Sequence, residues 1–252
     1  MKIQDRVAEI RRFCEANRNP ALVEKYRKYF VEGYDAYGLG QDVMEPQRDL
    51  WLQQWGKLGL GGFLKLGDRL VETGKYEEGT FAIWFAAAFK DDFTPETLDK
   101  LGRWLDHGLR NWAHIDFLSG EVLSRFVTEQ IVPLQAFSVW RRASSKWKRR
   151  AVPVTLVRAV KRDKVPVARL LAFIDPMMRD EEKVVRQGLG WFLREAWKKH
   201  PAPVEAFLLK WKDSCGRLII QYATERMSPA EKARFAKSKG ATPPTARGRR
   251  TA

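Results

Sequence analysis

The segment 111–116 holds the first residues whose types and spacing could support chemistry. It has a helical pattern, and Trp112 and Asp116 are four residues apart, so we expect them on one helix face. Together they would present a large aromatic surface beside a carboxylate that only accepts hydrogen bonds. The alternatives are that Trp112 packs in the core and that Asp116 caps a helix or pairs with a neighbouring arginine.

Two later segments could complete a site around this pair. Residues 147–151 combine a tryptophan with three consecutive cations, and residues 188–195 place another tryptophan and arginine on a predicted helix. The candidates in these segments are Trp147, Lys148, Arg149, Arg150, Trp191 and Arg194. Aromatic and cationic groups combined in this way suit an anionic partner that carries bases. The alternative is a solvated basic face beside a tryptophan that packs in the core.

The charge balance also favours a nucleic acid as the partner. The 252 residues include 46 Lys and Arg against 31 Asp and Glu, a formal net charge of +15, and the pI is about 9.9. Residues 141–164 alone include ten basic residues and a single acidic one. Such a concentration of charge is typical of a surface that binds phosphate groups.

Composition argues against several other classes of protein. The apolar run 81–89 is too short for a membrane span, and the start of the chain shows no secretory signal. We therefore expect no membrane partner and a cytoplasmic location, associated with the nucleoid if the source is bacterial. Two cysteines and three histidines without ligand spacing make a metal site implausible. No nucleophile elbow or phosphate-binding loop occurs, so nucleophilic catalysis is poorly supported.

Almost every segment up to residue 227 has the period of an amphipathic helix, and no strand is predicted. The predicted helices include 3–16, 20–33, 45–55, 64–73, 76–89, 94–109, 112–127, 134–142, 147–160, 166–178 and 182–199. Short helices joined by turns that contain Pro or Gly predict a helical solenoid, with a compact all-α bundle as the alternative. We expect one helical-repeat domain over residues 1–238 and a disordered basic tail over 239–252.

Three motifs, in this order, resemble those of the AlkD-type DNA alkylation repair glycosylases. They are Asn-Trp-x-x-x-Asp at 111–116, Trp-x-x-Arg-Ala at 147–151 and Gly-Trp-x-Leu-Arg-Glu at 190–195. Segments 38–48 and 217–223 are also similar, so the resemblance covers most of the chain. It implies an all-α fold, a right-handed α-solenoid of antiparallel HEAT-like or ARM-like helix pairs with a concave surface that binds DNA.

The resemblance also implies roles for individual residues. Trp112 and Trp191 match tryptophans that flank the lesion-bearing deoxyribose, Asp116 matches the catalytic carboxylate, and Arg150 matches an arginine that binds a backbone phosphate. The family hydrolyses the N-glycosidic bond of cationic N3- and N7-alkylated purines in duplex DNA, without extruding the base as glycosylases usually do. We expect a monomer without metal or cofactor, in which DNA is also bound by Trp147, Lys148, Arg149 and Arg194.

A non-catalytic helical-repeat module that binds DNA or a protein is the alternative function. Asp116 separates the two, because a carboxylate that faces phosphates only weakens simple DNA binding. The chain departs from some family members at Asn111 and Ala113. Pro153 follows Arg150 by three residues, so we also expect the helix to bend there.

Overall fold

The computed structural model describes residues 2–238, and every regular element within them is helical. The helices are α1 (Ile3–Ala16), α2 (Pro20–Arg27), α3 (Gln41–Trp55), α4 (Gly59–Val71), α5 (Tyr76–Ala88), α6 (Pro95–His107), α7 (Trp112–Leu118), α8 (Ser124–Thr128), α9 (Lys146–Lys161), α10 (Val167–Ile174), α11 (Lys183–Lys199), α12 (Pro201–Trp211), α13 (Arg217–Ala223) and α14 (Pro229–Ala233). The predicted disordered tail, 239–252, lies outside the described residues. None of the described helices could span a membrane.

The helices stack in successive layers around a continuous apolar core. Helix α4 packs against α5, α9 packs against α11, and α11 packs against α13. The core extends from Val7 in α1 to Phe235 beyond α14. The predicted all-α solenoid is therefore confirmed, and α9 and α11 lie at the centre of its second half.

Several element boundaries differ from those that periodicity predicts. Helix α3 begins before Pro46, at Gln41, because burial of Met44 continues the helix through its first turn. The segment 134–142 forms two short 3-10 turns rather than one helix. Its buried side chains, Leu134, Phe137 and Trp140, are three residues apart, a spacing that 3-10 geometry places on one face.

Helix α7 continues into α8 through a π-helical turn, Ser119–Leu123. A π turn carries one more residue than an α turn and changes the direction of the side chains that follow it. Helix α9, by contrast, continues unbroken across Pro153. Helices α7 and α9 carry the first two motifs, and they pack against each other.

Glycine at position 190 allows α11 to approach α13. A Cβ atom there would lie 2.4 Å from the Cβ of Tyr222 and 2.9 Å from the carbonyl oxygen of Ile219. The second contact is to backbone, which cannot move aside as a flexible side chain can. The motif glycine before Trp191 is thus required by helix packing.

We predict that Gly190→Ala lowers the free energy of unfolding by about 1–3 kcal/mol, as overpacking a helix interface does. Gly61→Ala is the matched control, because a Cβ atom at this helical glycine meets nothing within 4 Å. It should leave stability unchanged or raise it by up to about 1 kcal/mol. Urea unfolding followed by circular dichroism measures both, and equal effects would contradict the packing argument.

Candidate functional site

A cavity of about 460 Å³ opens between α7, α9, α11 and the segment that follows α2. Most of the predicted site residues line it: Trp112, Asp116, Trp147, Arg150, Trp191 and Arg194. They come from three helices that are well separated in the sequence. The fold therefore brings all three motifs to one cavity.

The other two predicted DNA-binding cations, Lys148 and Arg149, are not among the residues that line this cavity. Lys148 Nζ donates a hydrogen bond to Asp106 Oδ2 at 2.6 Å, and Arg149 Nε donates one to Asp180 Oδ2 at 2.7 Å. Successive helical residues are rotated by ~100° about the axis, so three consecutive cations cannot share one face. The structure brings only Arg150 of the three to the cavity.

Asp116 and Arg150 form a buried, bidentate ion pair at the cavity wall. Arg150 Nε donates to Asp116 Oδ1 at 2.9 Å, and Nη2 donates to Oδ2 at 2.8 Å. Arg150 Nη1 donates to the carbonyl oxygen of Val184 at 2.6 Å. The side chains of Arg150 and Asp116 are only 7% and 18% exposed. One guanidinium thus connects α7, α9 and α11.

The surroundings of Asp116 have two opposite effects on the pKa of its carboxyl group. Burial raises the pKa of this carboxyl, and the hydrogen bonds and charge of Arg150 offset that effect only in part. An ionised carboxylate in this position is poorly hydrated, so it interacts with a nearby positive charge more strongly than it would in water. Arg150 is the group that keeps this carboxylate ionised.

The ion pair also changes how Arg150 could contact DNA. The edge of the guanidinium that carries Nε and Nη2 faces Asp116, so it is not directed towards a phosphate. Arginine has five N–H groups, and the contacts to Asp116 and Val184 engage three of them. The phosphate contact that the resemblance implies would use the remaining N–H groups.

Trp112 is held at the cavity by aromatic contacts with the segment after α2. Its Nε1 donates to the carbonyl oxygen of Tyr29 at 3.0 Å, and its ring stacks on Phe30 with centroids 5.7 Å apart. Phe30 stacks in turn on Tyr34 at 4.5 Å. The indole remains 42% exposed, so it combines a fixed position with an open surface.

The start of α7 is fixed by Asn111 and His114, to which the sequence assigned no role. Asn111 Oδ1 accepts a hydrogen bond from the backbone N–H of His114 at 2.9 Å, which caps the helix. His114 Nε2 lies 2.8 Å from the carbonyl oxygen of Tyr76, and Nδ1 lies 2.8 Å from Asn111 Nδ2. A carbonyl only accepts, so Nε2 of His114 carries the proton and donates it to Tyr76. Nδ1 then accepts a hydrogen bond from the Asn111 side-chain amide, and the imidazole is neutral.

Burial keeps His114 neutral, because it lowers the pKa of the ring from 6.5 to about 4 despite the hydrogen bond to Tyr76. His114 thereby connects the start of α7 to α5 without placing a charge in the core. Since Trp112 and Asp116 lie on the same short helix, His114 is a positioning residue for both. Its partners on α5, Tyr76 and Thr80, are more than 30 residues away in the sequence, so sequence spacing did not reveal them.

One face of α11 forms the opposite wall of the cavity. The residues on this face are Val184, Gln187, Trp191 and Arg194, at the helical spacing of three and four. Gln187 Nε2 donates to the Tyr222 hydroxyl at 2.8 Å, and Arg194 contacts Glu195 and Glu225. Side chains of α11 and α13 thus hold this wall in place.

A second cavity, of about 440 Å³, shares Asp116 and Trp191 with the first. Its other lining residues are Gly120, Glu121, Val154, Val157, Arg158, Lys161 and Arg162. The three cations belong to the basic segment 141–164, but the sequence did not single them out. The spacing of 154, 157, 158 and 161 on one helix face could have done so.

No cluster of metal-binding side chains occurs among residues 2–238. Among its lining groups, the first cavity presents the Asp116 carboxylate, three tryptophan rings and the guanidinium groups of Arg150 and Arg194. A carboxylate and aromatic rings that line one cavity suit a reaction in which positive charge develops.

Comparison with known proteins places these features in a family. The family model described as DNA alkylation repair enzyme matches residues 10–227. The structure of a predicted DNA alkylation repair enzyme from Enterococcus faecalis is similar, with a TM-score of 0.66 at 18% identity, over 84% of this chain and 98% of that one. AlkD2 from Streptococcus mutans gives a TM-score of 0.56 at 19% identity, over 82% and 97%. At such identities the likeness shows the fold alone. No curated protein sequence matches the chain.

We predict that His114 makes stability depend on pH. The unfolded chain binds this proton at about 6.5 and the folded chain only at about 4, so stability is complete above pH 6.5 and is lost as the pH falls towards 4. The loss corresponds to about 3 kcal/mol. Urea unfolding between pH 7 and pH 4 should show this slope, and His114→Gln should lack it. Identical slopes in both proteins would contradict the prediction.

Proposed function

The chain belongs to the DNA alkylation repair enzyme family, and we propose that it is a glycosylase that removes cationic N3- and N7-alkylated purines from duplex DNA. The observation that carries this proposal is the convergence of Trp112, Asp116, Arg150 and Trp191 on one cavity. The proposed product is free alkylpurine and an abasic site. The reaction requires no metal or organic cofactor.

The substrate itself explains why these residues suffice. An N3- or N7-alkylated purine already carries a positive charge, so its glycosidic bond is weak and needs no strong general acid. When the bond breaks, its electron pair goes to the purine, which leaves as a neutral base, and positive charge develops on the sugar. Water then adds to C1′ and loses a proton. The enzyme must mainly stabilise a transient cation, which is an electrostatic task.

Asp116 is the group proposed for this task. Its carboxylate is largely withdrawn from water, so it stabilises an adjacent oxocarbenium ion with little screening. Two of its lone-pair directions are engaged by Arg150, and a carboxylate offers about four. The others can accept a hydrogen bond from the attacking water and orient it.

Trp112 and Trp191 are proposed to flank the sugar on which the charge develops. An indole face attracts a cation by about 0.5–2 kcal/mol. The contribution accelerates the reaction only to the extent that it grows as the charge forms. The contacts of Trp112 with Tyr29 and Phe30 fix its ring before DNA binds, which reduces the entropy lost on binding.

We predict that Asp116→Asn reduces excision by about 100- to 1,000-fold, the usual effect of removing one preorganised electrostatic group. The assay measures free base from duplex DNA that contains N7-methylguanine or N3-methyladenine. The ionised carboxylate is the active form, and burial raises its pKa. As the pH is lowered, wild-type excision should therefore begin to decline at a higher pH than it would if Asp116 had the pKa of an exposed aspartate.

The control is binding of unmodified duplex, which should survive the same substitution within a few-fold. Release of base no faster than the spontaneous rate by the wild-type protein would contradict the glycosylase and leave a DNA-binding module. Equal excision by wild type and the Asp116→Asn variant would exclude Asp116 from catalysis.

We predict that Arg150→Gln destabilises the protein by about 3–5 kcal/mol, because it leaves a buried carboxylate without a cation. Adding Asp116→Asn to it should recover part of that loss, with a coupling energy of about 1–3 kcal/mol. A matched double-mutant cycle on the more exposed pair Arg125 and Glu129 should give only about 0.3–0.5 kcal/mol. Urea unfolding measures both cycles, and a similar coupling in both would argue against a special role for the buried pair.

A further inference from the structure

The two cavities meet at Asp116 and Trp191, which among residues 2–238 are the only ones that line both. If the lesion-bearing sugar lies beside these residues, as in the proposed function on which this inference rests, the DNA strand must continue to either side of them. One direction leads into the first cavity and the other into the second. Each nucleotide step places a phosphate next to the sugar, so the second cavity lies where a backbone phosphate must be accommodated.

The charged groups of the second cavity favour an anion. Arg158, Lys161 and Arg162 line it, against the carboxylates of Glu121 and Asp116, and Asp116 is already paired with Arg150. Arg162 is exposed, and the side chains of Arg158 and Lys161 are 39% and 51% exposed. These cations can therefore reach a ligand, whereas those of Lys148 and Arg149 are only 16% exposed and are held by internal carboxylates.

Two carboxylates hold the cations of the second cavity in different ways. Glu121 forms an ion pair with Arg158 and is 45% exposed, so an incoming phosphate can displace it at little cost. Glu195 is only 8% exposed, and it contacts Lys161 at 3.3 Å and Arg194 at 3.4 Å. Because Arg194 lines the first cavity, one buried carboxylate orients a cation in each cavity. This gives the glutamate of the third motif a positioning role.

The π turn after α7 contributes two residues to the second cavity. These are Gly120 and Glu121, which follow Asp116 by about one helical turn. The position of the missing Cβ of Gly120 lies 3.7 Å from Arg158 Nε, so no side chain separates this backbone from the guanidinium.

We propose that the second cavity is a subsite for the backbone phosphate next to the lesion, bound by Arg158, Lys161 and Arg162. In the free protein Glu121 pairs with Arg158 in place of that phosphate. The DNA strand then passes Asp116 and Trp191, and its next phosphate binds in the second cavity.

The experiment measures the affinity of the full chain for an unmodified, fluorescently labelled duplex over a range of salt concentrations. Log affinity against log salt has a slope of about −0.9 for each phosphate contacted. We expect Arg158→Gln/Arg162→Gln to reduce the magnitude of the slope by about 0.9. Glu121→Gln should tighten binding, because it removes the competing carboxylate. Arg103→Gln, at an exposed arginine on α6 that lines neither cavity, is the matched control and should change neither slope nor affinity.

An unchanged slope in the double variant, or one that changes equally in the Arg103 control, overturns the proposal. Replacing chloride with inorganic phosphate at constant ionic strength distinguishes a backbone subsite from a site for free phosphate. We expect wild-type affinity for DNA to stay within about twofold. Strong competition by phosphate that disappears in the double variant would overturn the backbone assignment.

This binding assay involves no excision, so its outcome is independent of the outcome for Asp116→Asn. If the Arg158→Gln/Arg162→Gln variant has the wild-type salt slope while the wild-type protein excises base normally, only the subsite proposal is overturned. Absent excision with the slope effect intact overturns the glycosylase proposal and retains the subsite as part of a DNA-binding surface.

Discussion

The buried ion pair between Asp116 and Arg150 is the constraint on which the rest of the site depends. Taking two charges out of water costs several kcal/mol for each ion, and only a close, well-oriented partner offsets that cost. The bidentate geometry requires α7 and α9 to lie at one separation and rotation, and the contact to Val184 extends the requirement to α11. A buried pair contributes little to net stability, so its value here lies in fixing three helices relative to one another.

The positions of the other groups follow from that arrangement. Trp112 is one helical turn before Asp116, and Trp191 is two turns beyond Val184 on α11, so both rings come to the wall where the ion pair lies. Gly190 then allows α13 to support α11 from behind. On α9 the same rotation turns Arg158 and Lys161 towards the second cavity, whereas Lys148 and Arg149 turn towards Asp106 and Asp180.

Local periodicity was sufficient to predict an all-helical chain and the bounds of α1, because each amphipathic period is visible within a few turns. The order of the motifs brought Asp116 and Arg150 into one site but could not show that they pair. Phe30 lies in a segment for which periodicity predicts helix, whereas α2 ends at Arg27. Its stacking partner Trp112 is 82 positions later in the sequence, so local spacing could not indicate this contact. His114 was missed for the same reason. Contacts between distant segments depend on packing, which a single sequence does not display.

Under the proposed function, the zero net charge of the ion pair between Asp116 and Arg150 has a consequence for substrate choice. Asp116 is the more exposed partner, at 18% against 7% for Arg150, so under the proposed function the pair would present its negative end to the sugar. A dipole of this kind stabilises a cation that is already forming, but it does not protonate a neutral purine. Under the proposed function, selectivity then resides in the charge of the alkylated base, and an open cavity of about 460 Å³ need not recognise the shape of the base. Under the proposed function, the negative charge of nearby backbone phosphates would offset part of the positive charge of Arg150. The Asp116 carboxylate would then stabilise the cation more strongly when DNA is bound.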